Sequence, residues 1–188
     1  MAFTESNMLP LGTKAPSFSL PDTVSGKTLN LNELQSNVAT VIMFLCNHCP
    51  YVLHVNACIV ALAHDYQPKG VSFIGISSND AVNYPQDSPE KMKTLATTEG
   101  YTFPYLYDET QEIAKIYDAA CTPDFYVFDG NMQLAYRGRI DGSRPGNQLP
   151  VTGADLRAVL DSILRGEAVP TKQLPSGGCN IKWKPANR

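Results

Sequence analysis

Apolar and polar residues alternate along Ala15-Pro16-Ser17-Phe18-Ser19-Leu20-Pro21 and again along Thr28-Leu29-Asn30-Leu31, with Ser25-Gly26-Lys27 between them. Alternation on both sides of a turn predicts a β-hairpin. The pattern then changes: Val38 to Leu45 is a continuous β-branched and apolar run, as expected of a strand buried on both faces. Val52, Val55, Ile59 and Leu62 recur at helical spacing up to the stop signal Gln67-Pro68-Lys69-Gly70. Val71 to Ser77 reads as a second buried strand, so strand, helix and strand predict a parallel, right-handed crossover.

A polar loop, Ser78 to Asp87, is expected to be solvated and leads to a helix capped by Ser88, opened by Pro89 and ended by Gly100. Thr110 to Tyr117 predicts a short amphipathic helix. Phe125 to Phe128, the turn Asp129-Gly130-Asn131 and Gln133 to Ile140 predict an antiparallel strand pair. Arg137, Arg139 and Asp141 are expected on its exposed face. Thr152 to Arg165 is a further helix with Gly166 just beyond it. The order predicts one α/β domain over residues 1–166, a central mixed sheet flanked by helices with an N-terminal hairpin, and a C-terminal tail over 167–188.

Composition narrows the function classes. A chain of 188 residues, 43% hydrophobic and 18% charged, can bury a full core without disulfides. Its five cysteines are too few for a disulfide framework, and an odd number cannot all pair within one chain. A net charge of −3 with no Lys/Arg cluster argues against a nucleic-acid partner. Met1 to Leu11 lacks a secretory pattern and Val38 to Leu45 is too short to span a bilayer. The expectation is a protein of the reducing cytoplasm with no membrane partner.

The sharpest motif is Cys46-Asn47-His48-Cys49-Pro50, where the buried strand gives way to the helix. A thiol at a helix start sits at the positive end of the macrodipole, which favours its thiolate. Two intervening residues allow a disulfide to close. Cys46 is expected to be exposed and to attack, Cys49 to be covered and to resolve, and a protonated His48 to stabilise the thiolate between them. A structural zinc site would need a second ligand pair, and the sequence has neither another CxxC nor a suitably spaced His pair. The motif therefore favours redox chemistry.

Cys121-Thr122-Pro123-Asp124 stands immediately before the strand that starts at Phe125. A CxxC at a helix start combined with Thr-Pro before a later antiparallel strand resembles the thioredoxin superfamily. That resemblance implies a thioredoxin-like fold with a cis-Pro at Pro123 facing the dithiol, the backbone at Thr122 pairing with substrate as an added strand. More narrowly, Gly12 to Asp22 with Ser25-Gly26-Lys27, Cys46 to His54 and Cys121 to Phe125 are similar to the alkyl hydroperoxide reductase/thiol-specific antioxidant family, over roughly residues 10–165. Peroxidatic members resemble Pro-x3-Thr-x2-Cys. Aligning that cysteine with Cys49 puts Cys46 at the Thr and Ile42 at the Pro, and no Arg stands in Cys121 to Asp124. Thioredoxin's buried Asp, six residues before the first Cys, is replaced by Thr40.

His54 is a candidate for the missing proton carrier, whereas His64, near a helix end, reads as structural. Cys58 reads as packing. Cys121 suits packing or redox equally, since it would lie near a cis-Pro. Cys179, in a tail that also holds the only Trp, Trp183, is expected to fold back as an accessory redox thiol. The leading expectation is a thiol-disulfide oxidoreductase without a cofactor, acting on protein or small-molecule disulfides and restored by a thioredoxin- or glutathione-type reductant. Alternatives are a thiol peroxidase and a soft-metal protein binding Cu(I) through Cys46, Cys49 and a His.

Overall fold

The computed structural model describes residues 3–187. In chain order the elements are β1 (Phe3–Glu5), β2 (Ser19–Pro21), β3 (Thr28–Asn30), α1 (Leu31–Leu34), β4 (Ala39–Phe44), α2 (Pro50–Tyr66), β5 (Val71–Ser77), α3 (Pro89–Glu99), β6 (Tyr105–Tyr107), α4 (Glu112–Ile116), β7 (Cys121–Thr122), β8 (Asp124–Asp129), β9 (Leu134–Gly138), α5 (Ala154–Leu164) and β10 (Gly177–Asn180). The central sheet has the order β6-β5-β4-β8-β9. Strands β4, β5 and β6 run parallel, β8 pairs antiparallel with β4, and β9 pairs antiparallel with β8.

Strand β4 lies at the middle of this sheet and every residue in it is buried, which explains its lack of alternation. Val41 and Met43 pack with Val52, Val55, Ile59 and Leu62 of α2 and with Leu156 and Leu160 of α5. Ile42 and Phe44 pack on the other face with Tyr117, Tyr126 and the hairpin residue Leu20. Helix α3 has the expected termini: Ser88 accepts a hydrogen bond from Lys91 N–H, and Gly100 adopts a left-handed conformation at φ 73°.

Two regions depart from the sequence expectation. Ser78, Asn79, Asp80 and Asp87 are buried rather than solvated. On β9 and just beyond it, Arg137 and Asp141 are buried as well. Arg137 donates to Asp124 at 3.0 Å and to the Asp118 carbonyl at 2.7 Å, with its guanidinium over the Tyr126 ring. Asp141 accepts from the amides of Ser143, Thr152 and Gly153, so a distant carboxylate caps the start of α5. Only Arg139 keeps a half-exposed position, paired with Asp155.

A second, three-stranded sheet has the order β1-β10-β7. Strand β10, from the C-terminal segment, lies between the N-terminal strand and the short strand that leads into Pro123. This sheet brings the two ends of the chain to the CxxC segment.

Candidate functional site

The dithiol sits where β4 leaves the sheet. Helix α2 begins at Pro50, whose missing N–H suits a first helical position, and Cys49 is the N-cap. Cys46 precedes the helix rather than lying in its first turn. Both sulfur-bearing residues are enclosed, Cys46 at 1% exposure and Cys49 at 0%, so the expected exposure of Cys46 is not found. The covering comes from parts of the chain that give no local signal: the loop carrying Asp87 on one side and β10 on the other.

The Thr122–Pro123 peptide is cis and faces the dithiol. Thr122 touches both sulfurs: its Oγ1 is 3.2 Å from Cys46 Sγ, and its carbonyl lies 3.3 Å from Cys49 Sγ, accepting a hydrogen bond when that thiol is protonated. The edge expected to pair with a substrate strand is already occupied, since Cys179 pairs with Thr122 and Asn180 with Cys121. Gly178 permits this approach, because a Cβ there would overlap the Thr122 carbonyl. Pro123, by contrast, also lines an open cleft of about 440 Å³ together with Tyr51, His54, Arg144 and Gly177.

The electrostatics distinguish the sulfurs. The Cys46 thiol bonded to it, then the Cys179 thiol and the amides of Val52 and Cys179, outweigh burial and hold Cys49 down at about 5. Cys46 is pushed well above the usual thiol range by its bond to Cys49, by burial and by the negative charge of Asp87, against a smaller opposing pull from Thr122. A carboxylate beside one sulfur and a helix N-terminus beside the other act in the same direction. Both effects favour ionisation at Cys49 over Cys46.

Asp87, missed as a site residue, is fully buried. One carboxylate oxygen accepts from Asn47 N at 2.8 Å, and the other from Asn79 Nδ2 at 2.8 Å, with His48 Nδ1 at 2.7 Å. The His48 ring stacks on Tyr84 with centroids 5.8 Å apart. Cys46 Sγ, a ring nitrogen of His48 and an Asp87 oxygen lie within 4.8 Å of one another. Thiolate, imidazole and carboxylate form a borderline donor set, better matched to zinc than to Cu(I). Asp87 already receives N–H donors at both oxygens, so a metal would have to displace one of these contacts.

The remaining candidates separate. Cys179 contacts Cys49. Cys121 is buried, its Sγ 3.8 Å from the Pro123 carbonyl, and burial together with Asp124 pushes its thiol far up. His54 is half-buried and lines the cleft beside Pro123. Cys58 packs at the edge of the core. Among the described residues, no helix is long and apolar enough to cross a membrane.

The crystal structure of a conserved uncharacterized protein from Geobacillus kaustophilus is similar at 60% identity and TM-score 0.97, covering 98% of each chain. A Mycobacterium tuberculosis protein named as a peroxiredoxin is 28% identical over 116 residues, 62% of this chain and 68% of that one. A peroxidoxin structure from the same organism, 19% identical with a TM-score of 0.62, covers 85% of this chain and 98% of that chain. At that distance the likeness speaks for the fold alone, which is thioredoxin-like α/β with a mixed central sheet. The family model for AhpC/TSA matches residues 11–137, and over that span run the hairpin, the dithiol and the cis-Pro loop: this chain belongs to the AhpC/TSA family of thioredoxin-fold thiol oxidoreductases and peroxidases.

Proposed function

We propose that the protein is a thiol-disulfide oxidoreductase in which Cys49 supplies the attacking thiolate and Cys46 the resolving thiol. The observation that carries this reading is the contact of the two sulfurs at the start of α2, with the Asp87 carboxylate beside Cys46. Cys49 attacks a substrate disulfide and releases one substrate thiolate. Cys46 then attacks Cys49, releasing the second and leaving a Cys46–Cys49 disulfide. A thioredoxin- or glutathione-type dithiol system returns the pair to the reduced form, which suits a reducing compartment such as the cytoplasm.

His48, held against Asp87 beside Cys46, is positioned to take up the Cys46 proton as that thiol attacks. Thr122 positions both sulfurs, and Pro123 meets the substrate from the cleft side. A protein disulfide presented as an extended strand reaches the sulfurs once β10 moves aside, whereas a small disulfide needs less opening. Cys121 and His54 are assigned no step.

The peroxidase reading has its own support: the peroxidatic cysteine of the family can be aligned with Cys49, and a site this enclosed suits an oxidant as small as peroxide. Against it stand Cys46 in place of the Thr and an Arg137 committed to Asp124. Wild type, Cys46→Ser and Cys49→Ser assayed for protein-disulfide reduction and for peroxide consumption separate the two. Loss of disulfide reduction in both variants supports the dithiol. Peroxide consumption retained in Cys46→Ser with disulfide reduction absent from wild type would replace it with the peroxidase.

A further inference from the structure

Strand β10 places a third sulfur at the dithiol. Directly opposed residues in an antiparallel pair project to the same face. Cys179 opposes Thr122, the residue that touches both Cys46 and Cys49, and the Cys179 thiol and amide both bond Cys49. Cys121, one position along, opposes Asn180 on the other face. The register thus selects Cys179 over Cys121.

Docking of this segment does not depend on the Cys179 side chain. Ser6 and Ser176 exchange hydrogen bonds, and Ser176 Oγ donates to the Pro123 carbonyl at 2.6 Å. Ile181 N–H donates to the Ala120 carbonyl and Lys182 N–H to Asn79 Oδ1. Asn79 in turn donates to Asp87, so the segment that brings a thiol to Cys49 also braces the carboxylate beside Cys46.

Building on the dithiol reading, we propose that Cys179 is a second resolving thiol for Cys49. After Cys49 has formed a mixed disulfide with substrate, the Cys179 sulfur attacks Cys49, the Cys49–substrate bond breaks, and the Cys179 proton passes to the departing substrate thiolate. Two electrons leave Cys49 and Cys179 and enter the substrate disulfide, whose two sulfurs depart as thiols. A Cys49–Cys179 disulfide remains. Exchange with the Cys46 thiol then yields the Cys46–Cys49 disulfide and returns Cys179 to the reduced form. The oxidised state is therefore shared among three sulfurs with Cys49 as the common member.

The test treats the full-length reduced wild type, Cys46→Ser and Cys179→Ser proteins with one equivalent of the two-electron thiol oxidant diamide. Acid quenching, alkylation, digestion and peptide mass mapping follow, with thermal melting to check that each variant is folded. The expected result in Cys46→Ser is an intramolecular Cys49–Cys179 linkage with loss of Cys179 alkylation, and in wild type a mixture of Cys46–Cys49 and Cys49–Cys179 linkages. Full alkylation of Cys179 in both proteins, while Cys49 is oxidised, overturns the proposal. The Cys179→Ser arm judges the preceding reading separately, since failure to form Cys46–Cys49 there counts against the dithiol and not against the third thiol.

Discussion

The Asp87 carboxylate lies within 4.8 Å of Cys46 Sγ, and its charge opposes ionisation of that sulfur. Cys49, by contrast, faces the start of α2. The proposed mechanism follows from this contrast, with the proton on Cys46 and the thiolate on Cys49, two cysteines separated by only Asn47 and His48.

Replacing Asp87 by Asn removes the charge while keeping the shape. Cys46 ionisation should become easier, moving its alkylation profile to lower pH. The disturbed bond to Asn79 and contact with His48 should cost about 1–3 kcal/mol of stability. Site-resolved alkylation across pH measures the first effect and urea unfolding the second; an unchanged Cys46 alkylation profile would show that Asp87 has no electrostatic hold on it.

His48→Phe retains an aromatic ring to stack on Tyr84 and deletes the proton carrier. Disulfide turnover should fall by about a hundredfold, the lower range for loss of a general acid-base group, with the melting temperature largely retained. A variant as fast as wild type would remove His48 from the proton path.

Stability should depend on pH through Cys49. Its folded-state value is lowered from 9.0 to about 5, so its contribution is fully present above 9 and is lost as pH falls through about 5. Cys46, raised above 9 in the folded chain, is protonated in both folded and unfolded chains up to about pH 8 and adds no slope below that, while closer to 9 it opposes the gain. The stability of reduced wild type relative to Cys49→Ser, read from urea midpoints, should therefore grow steadily between pH 5 and 9. A constant difference would mean that Cys49 is an ordinary buried thiol.

Much of the fold is legible in the sequence. The unbroken apolar run of β4, the helical spacing of α2 and the Ser88-Pro89 start of α3 are local signals, and the element order follows from them. The CxxC is equally plain. Cys49 as N-cap, with Cys46 outside the helix, is a boundary shift of a residue or two, as helix ends commonly show. The role of Asp87 is hidden because its donors, Asn47 and Asn79, come from other parts of the chain. Burial of Arg137 is hidden for the same reason, since Asp124 lies on the neighbouring strand. The β1-β10-β7 sheet is the extreme case: Phe3 pairs with Cys179 across nearly the whole chain, through strands too short to show a period.

Gly178→Ala should unseat β10, because the added Cβ meets the Thr122 carbonyl. The expected cost is about 1–3 kcal/mol, as for other overpacked sites. Protection of the Ile181 and Lys182 amides against hydrogen exchange should fall, while alkylation of Cys46 and Cys49 speeds up. Unchanged exchange at both amides would show that the segment tolerates the methyl group and is not held by this contact.

Which sulfur carries the charge is tested most directly by titrating the ultraviolet thiolate absorbance of the reduced protein, wild type beside Cys46→Ser and Cys49→Ser. We expect an ionisation near pH 5 in wild type, retained at a somewhat higher pH in Cys46→Ser, where the serine hydroxyl can still donate, and absent from Cys49→Ser. An acidic ionisation that survives in Cys49→Ser and disappears in Cys46→Ser would contradict the account and restore Cys46 as the attacking thiolate.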